Sequence, residues 1–93
     1  MLIDTHCHLY FDEIKNDLDN IFLRANELGV TRFICVGTNV NDSKMSLELS
    51  REYKYVYATA GIHPHDSKDV ESGYLNELRE ILSNNKVIAV GEI

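Results

Sequence analysis

Apolar positions along the chain follow two alternating rhythms, short β-branched runs and helical spacing, and the switch repeats down its length. Leu2-Ile3-Asp4-Thr5-His6 opens the chain as a short strand. Ile14, Leu18, Ile21, Phe22, Ala25 and Leu28 then recur at helical spacing, which predicts one amphipathic helix. Gly29 stands where a left-handed residue ends a helix at little cost. Thr31-Arg32-Phe33-Ile34-Cys35-Val36 is a second strand by its branched and aromatic residues, broken by Gly37-Thr38-Asn39. Asn41 or Asp42 is placed to cap a second helix that runs to about Glu52. Tyr55 to Ala60 forms a third strand. It stops at Gly61-Ile62-His63-Pro64, because proline has no N–H to give a ladder. Leu75, Leu78, Ile81 and Leu82 mark a third helix from Ser72 to Ser83, and Lys86 to Gly91 a fourth strand. The order βαβαβαβ predicts the α/β class, with a parallel sheet of right-handed βαβ units. No linker, charge block or internal repeat interrupts it, so residues 1–93 read as a single α/β domain.

Composition narrows the function classes. With 44% hydrophobic and 26% charged residues interleaved, and a single proline, the chain is neither disordered nor of low complexity. No apolar run approaches the roughly 20 residues that span a bilayer. The opening residues lack the basic and apolar regions of a signal peptide, and two cysteines suit a reducing compartment, so a cytoplasmic location is expected. A net charge of −6 argues against holding nucleic acid on a broad basic face. A phosphate-bearing substrate would need local help, such as a metal ion.

Candidate chemistry gathers at strand ends. In extended backbone, His6 and His8 project to one side and Cys7 to the other, so the two imidazoles suit one divalent cation. Asp4 shares their side and is placed to accept an imidazole N–H or to approach the metal. Cys7 reads as a small buried apolar residue. His63-Pro64-His65 repeats the pattern after the third strand, with proline stiffening the turn; these imidazoles could bind a metal or donate to a substrate phosphate. All four histidines thus follow predicted strands, at the edge where parallel α/β folds bind ligands. Glu92 ends the apolar fourth strand, where a carboxylate wants a cation or hydrogen bonds and its two oxygens could bridge two metals. Each feature also has a plain reading: surface histidines, a polar turn, a solvated acid. Gly37-Thr38-Asn39 reads chiefly as a loop, Tyr10 and Phe11 as packing residues near the first histidines, and Asp12, Glu13, Glu48 and Glu52 as solvated helix surface.

Taken in order, Asp4-Thr5-His6-Cys7-His8-Leu9, Gly61-Ile62-His63-Pro64-His65 and Val90-Gly91-Glu92-Ile93 resemble the TatD family of metal-dependent hydrolases. Cys35-Val36-Gly37-Thr38-Asn39 resembles that family's second strand and turn. The resemblance implies a TIM-type (β/α)₈ barrel related to the amidohydrolases, of which residues 1–93 would be the N-terminal part. Such a barrel typically takes about 250 residues. It further implies divalent metal ions (Mg, Mn or Zn), two in the complete protein, with His6, His8 and Glu92 as ligands. His63 and Glu92 would then be catalytic, with His63 and His65 at the scissile phosphate of DNA or another phosphodiester. The family's further ligands, two histidines and an aspartate, belong to later strands, so activity is expected of the complete barrel. Other readings are an amidohydrolase-like or polymerase-histidinol-phosphatase-type hydrolase, a D-aminoacyl-tRNA deacylase, or a non-catalytic piece that self-associates through open sheet edges.

Overall fold

The computed structural model describes the whole chain, Met1–Ile93. Strands β1 (Leu2–Cys7), β2 (Val30–Val36), β3 (Val56–Ala60) and β4 (Val87–Val90) form one parallel sheet in the order β1-β2-β3-β4. Each new strand is added on the same side of the last. A sheet wound this way never reverses, which is how a barrel grows and how it differs from a doubly wound sheet.

Helices α1 (Asp12–Lys15), α2 (Leu18–Glu27), α3 (Val40–Glu52) and α4 (Tyr74–Leu82) alternate with the strands. Helix α2 packs on β2, α3 on β2 and β3, and α4 on β3 and β4. Phe33 lies opposite Val56 and Cys35 opposite Ala58, so these four buried side chains share one face. A slip of one residue would turn that whole set outward, so burial fixes the register. Phe22 meets Phe33 at 4.9 Å between ring centroids, in a cluster with Leu9, Tyr10, Leu18, Cys35 and Val56. Leu47, Ala58, Ala60, Leu78, Ile81 and Val87 form a second cluster. Leu2 and Ile3 on one edge strand, and Ile88 and Val90 on the other, remain exposed. No helix is long and apolar enough to cross a membrane.

Helix α3 lies close to the sheet because the residues beneath it are small. Ser43, Ser46 and Ser50 are buried, and the Ser43 hydroxyl accepts from Gly61 N–H at 3.2 Å. A Cβ at Gly37 would collide with Ser43, so only glycine permits this approach.

The observed elements differ from the sequence pattern at three places. The single helix expected from Ile14 to Leu28 is two, parted at Asn16 and Asp17, whose short polar side chains favour turns over helix interiors. Helix α3 is capped by Asn39 rather than by Asn41 or Asp42; the Asn39 side-chain oxygen accepts from Asp42 N–H at 2.8 Å. Finally, Pro64–Asp69 winds into a 3₁₀ helix, and α4 begins only at Tyr74, after Gly73 in left-handed backbone. Proline's fixed φ favours the first position of such a turn, and Ser67 donates back to the Pro64 carbonyl at 2.8 Å. Gly29 closes the preceding connection with φ +88, as its place in the pattern predicts.

Candidate metal centre

Three strand ends converge. His6 lies within β1 and His8 just beyond it, while Glu92 follows β4 across the uncovered end of the sheet. One ligand atom from each of His6, His8 and Glu92 falls within 4.8 Å of the others, a spacing one cation could bridge. His6 Nε2 stands 3.3 Å from Glu92 Oε2, and His63 Nε2 stands 3.6 Å from Glu92 Oε1. The carboxylate therefore faces one imidazole with each oxygen.

Backbone hydrogen bonds bring Glu92 there. Its N–H donates to the Gly37 carbonyl at 2.8 Å, and Gly91 N–H donates to Ala60 O at 2.9 Å. Thr59 Oγ1 donates to the Gly91 carbonyl at 2.7 Å. Gly61 backs directly on this turn: a Cβ there would lie 2.9 Å from the Gly91 carbonyl carbon. His63 N–H donates to Thr38 O at 2.7 Å. The turn after β2 thus holds two site residues through its carbonyls, while Gly37 N–H is itself engaged by Thr59 O at 3.3 Å. Its part is to hold the site's backbone, which agrees with reading it as a loop.

The donor set fits a divalent cation. His8 Nδ1 faces the Val36 carbonyl at 3.1 Å, and a carbonyl only accepts, which favours a proton on Nδ1 and a free lone pair on Nε2. Two imidazoles with one carboxylate are the ligand types of catalytic zinc sites. His63 is arranged differently. Its Nδ1 accepts from His65 N–H at 3.0 Å, which leaves the proton of the neutral ring on Nε2, facing Glu92. His63 is therefore a donor toward the centre. His65 is exposed, its ring 4.8 Å from that of His63, and its imidazole is outside the three-residue set.

Asp4 departs from expectation. Its carboxylate is taken up locally, accepting from the backbone N–H of His6 at 3.1 Å, and bonds to neither imidazole. Cys7 is half-buried where the sequence suggests a buried residue: its thiol donates to Ile34 O at 3.3 Å, and burial pushes it up to about 12. Sequence patterning missed Gly37, Thr38 and Gly61 as residues that hold the site. It also read Tyr10 simply as packing, although the Tyr10 hydroxyl lies 2.9 Å from His8 Nδ1. Phe11 stacks on His8 with rings 9° from parallel and centroids 5.1 Å apart.

Comparison with known proteins follows the same motifs. The family model described as TatD related DNase matches residues 3–93. An uncharacterized metal-dependent hydrolase of Bacillus subtilis, YabD, is 34% identical over 93 residues, which are 100% of this chain and 36% of that protein. The 3'-5' ssDNA/RNA exonuclease TatD of Escherichia coli K12 is 30% identical over 91 residues, 98% of this chain and 35% of its own length. Among solved structures, the TatD homologue YjjV of Escherichia coli K12 superposes with a TM-score of 0.89 at 34% identity, covering 99% of this chain and 36% of that one. A TatD family hydrolase from Entamoeba histolytica gives the same TM-score of 0.89 at 28% identity and the same coverage. The chain thus spans little more than a third of the relatives it matches, and its four strands correspond to the N-terminal part of their barrels.

Proposed function

Because the chain belongs to the TatD related DNase family of metal-dependent hydrolases, we propose that residues 1–93 carry the N-terminal half of a centre that cleaves phosphodiester bonds in DNA. The observation that supports this most is the convergence of His6, His8 and Glu92 within 4.8 Å. Both imidazoles and one Glu92 oxygen would hold one divalent ion, Zn or Mn by ligand type and Mg by availability. The other Glu92 oxygen would reach a second ion. When bound, such ions polarise a phosphodiester, lower the pKa of water and stabilise the leaving oxygen.

The chain's own residues supply the rest. His63 Nε2–H donates to a non-bridging phosphate oxygen; Glu92 Oε1 stands 3.6 Å from that nitrogen, too far to claim its proton. His65, exposed on the same turn, offers a second donor to the neighbouring phosphate. Holding phosphate through metals and two imidazoles reconciles a net charge of −6 with a polyanionic substrate. Single-stranded DNA is the substrate to try first, since relatives named for ssDNA and RNA exonuclease activity share this segment.

The test is degradation of end-labelled single-stranded DNA with Mg²⁺, Mn²⁺ or Zn²⁺ by the longest chain that contains these residues. Cation-dependent cleavage that His6→Ala plus His8→Ala reduces to background is expected. A folded protein inactive with every cation, or a double variant of undiminished rate, contradicts the proposal.

A second reading has its own observation. Leu2, Ile3, Ile88 and Val90 are exposed on the two edge strands, and free edges with apolar residues invite pairing. In that reading these residues alone form a non-catalytic piece that associates with itself.

A further inference from the structure

His8 and Tyr10 follow the same strand, but a third partner, the Val36 carbonyl at the end of β2, decides how they meet. Tyr10 Oη lies 2.7 Å from Val36 O, His8 Nδ1 lies 2.9 Å from Tyr10 Oη, and His8 Nδ1 lies 3.1 Å from Val36 O. This triangle has two protons at most. The carbonyl has none, and the single hydroxyl proton of Tyr10 goes to that carbonyl along the shortest edge. What the hydroxyl then presents to His8 is its lone pairs. Both neighbours of Nδ1 are acceptors, so the triangle is satisfied only when Nδ1 carries the ring proton. The opposite tautomer would set a nitrogen lone pair against a carbonyl at 3.1 Å and leave one proton among three acceptors.

We propose that Tyr10 is a positioning residue for His8: its hydroxyl, anchored on Val36 O, accepts the His8 Nδ1 proton and so aims the bare Nε2 at a divalent cation. Tyr10 is 5% exposed, so little water competes for these bonds. The nearby Asp42 carboxylate is already supplied by the Thr38 hydroxyl at 2.5 Å. Phe11, stacked on the other side of the ring, sets its plane. Stack and hydrogen bond together leave His8 one orientation and one tautomer, the role that outer partners serve for metal-binding histidines. The consequence for cation affinity rests on the proposed metal centre, whereas the tautomer does not.

The experiment reads the two separately. Long-range ¹H–¹⁵N spectra of the metal-free chain, near pH 8.5 where imidazoles are neutral, report which nitrogen of each histidine is protonated. His8 is expected to show protonated Nδ1, in contrast to exposed His65. In Tyr10→Phe, which keeps the ring and removes only the hydroxyl, Nδ1 is left with Val36 O as its one acceptor, and the His8 nitrogen shifts move part of the way toward those of His65. Zn²⁺ binding by calorimetry weakens by roughly 10–100-fold. Phe11→Leu serves as a second variant that keeps the hydroxyl, and there His8 retains protonated Nδ1. Protonated Nε2 in the wild-type chain overturns the proposal without need of any variant, as do unchanged His8 shifts in Tyr10→Phe. A wild-type chain that binds no Zn²⁺, yet shows the expected shifts, removes the metal centre and leaves the Tyr10 role standing.

Discussion

Gly61 shows how much of the candidate centre depends on atoms that are missing. It lies directly behind the turn that carries Glu92, where a Cβ would come within 2.9 Å of the Gly91 carbonyl carbon. Gly61→Ala must therefore displace either β3 or the Gly91–Glu92 turn. Overpacking of this kind costs about 1–3 kcal/mol, and the displaced carboxylate should weaken cation binding as well. Thermal melts and calorimetry on the same variant check both effects; unchanged affinity would show that Glu92 is held some other way. Cys7, Cys35 and Tyr10 give a second prediction. Burial raises the pKa of all three, with Cys7 moving from an ordinary 9.0 to about 12. Above about pH 9 the unfolded chain releases these protons and the folded chain keeps them, so stability is intact below that pH and is lost as pH rises toward 12. Melting temperatures recorded from neutral to strongly alkaline pH should fall on the alkaline side, and a flat profile would contradict the burial argument. At this scale the sequence was legible where chemistry is spoken by residue type. Histidines two apart and a carboxylate after an apolar strand could be seen. The carbonyls of Gly37 and Thr38 could not, since every residue has a carbonyl and only the fold chooses which are used.

Elements were legible to the extent that hydrophobic period controls them. All four strands and their parallel order follow from the alternation of short apolar runs with helical spacing. The expected first helix is broken because period says nothing about turn chemistry: the apolar positions continue across Asn16 and Asp17, but the backbone does not stay helical. The cap of α3 was misplaced for a similar reason. Asn39, Asn41 and Asp42 are all good caps by type, and the one that serves is fixed by where β2 delivers the chain. Asn39→Ala should destabilise the protein by about 1 kcal/mol through loss of the bond to Asp42 N–H, whereas Asn41→Ala should change it little. Chemical denaturation compares the two, and equal losses would reject Asn39 as the cap. The 3₁₀ helix over Pro64–Asp69 was missed because its apolar content is too low to register as a helix. It matters for the site, since its first turn places the His65 N–H on His63 Nδ1 at 3.0 Å.

Over the whole molecule, the sheet order and the family match these 93 residues to the N-terminal part of barrels about three times as long. The apolar residues on β1 and β4 are those that neighbouring strands would cover in such a barrel. As a chain of 93 residues, the protein should therefore associate with itself at high concentration. Sedimentation velocity across a concentration series reads this directly; a monomer throughout would set the self-associating reading aside, and substitution of Ile88 and Val90 by lysine should reduce any association found. Function is a different matter from assembly. The proposed centre at the ends of β1 and β4 requires that His6, His8 and Glu92 bind one cation together within these residues. Calorimetric titration with Zn²⁺ and Mn²⁺ of the wild-type chain, His6→Ala, His8→Ala and Glu92→Gln tests it most directly. Binding by the wild type, weakened about tenfold or more by each single substitution, is the predicted result. Isotherms that are the same for all four chains would contradict it.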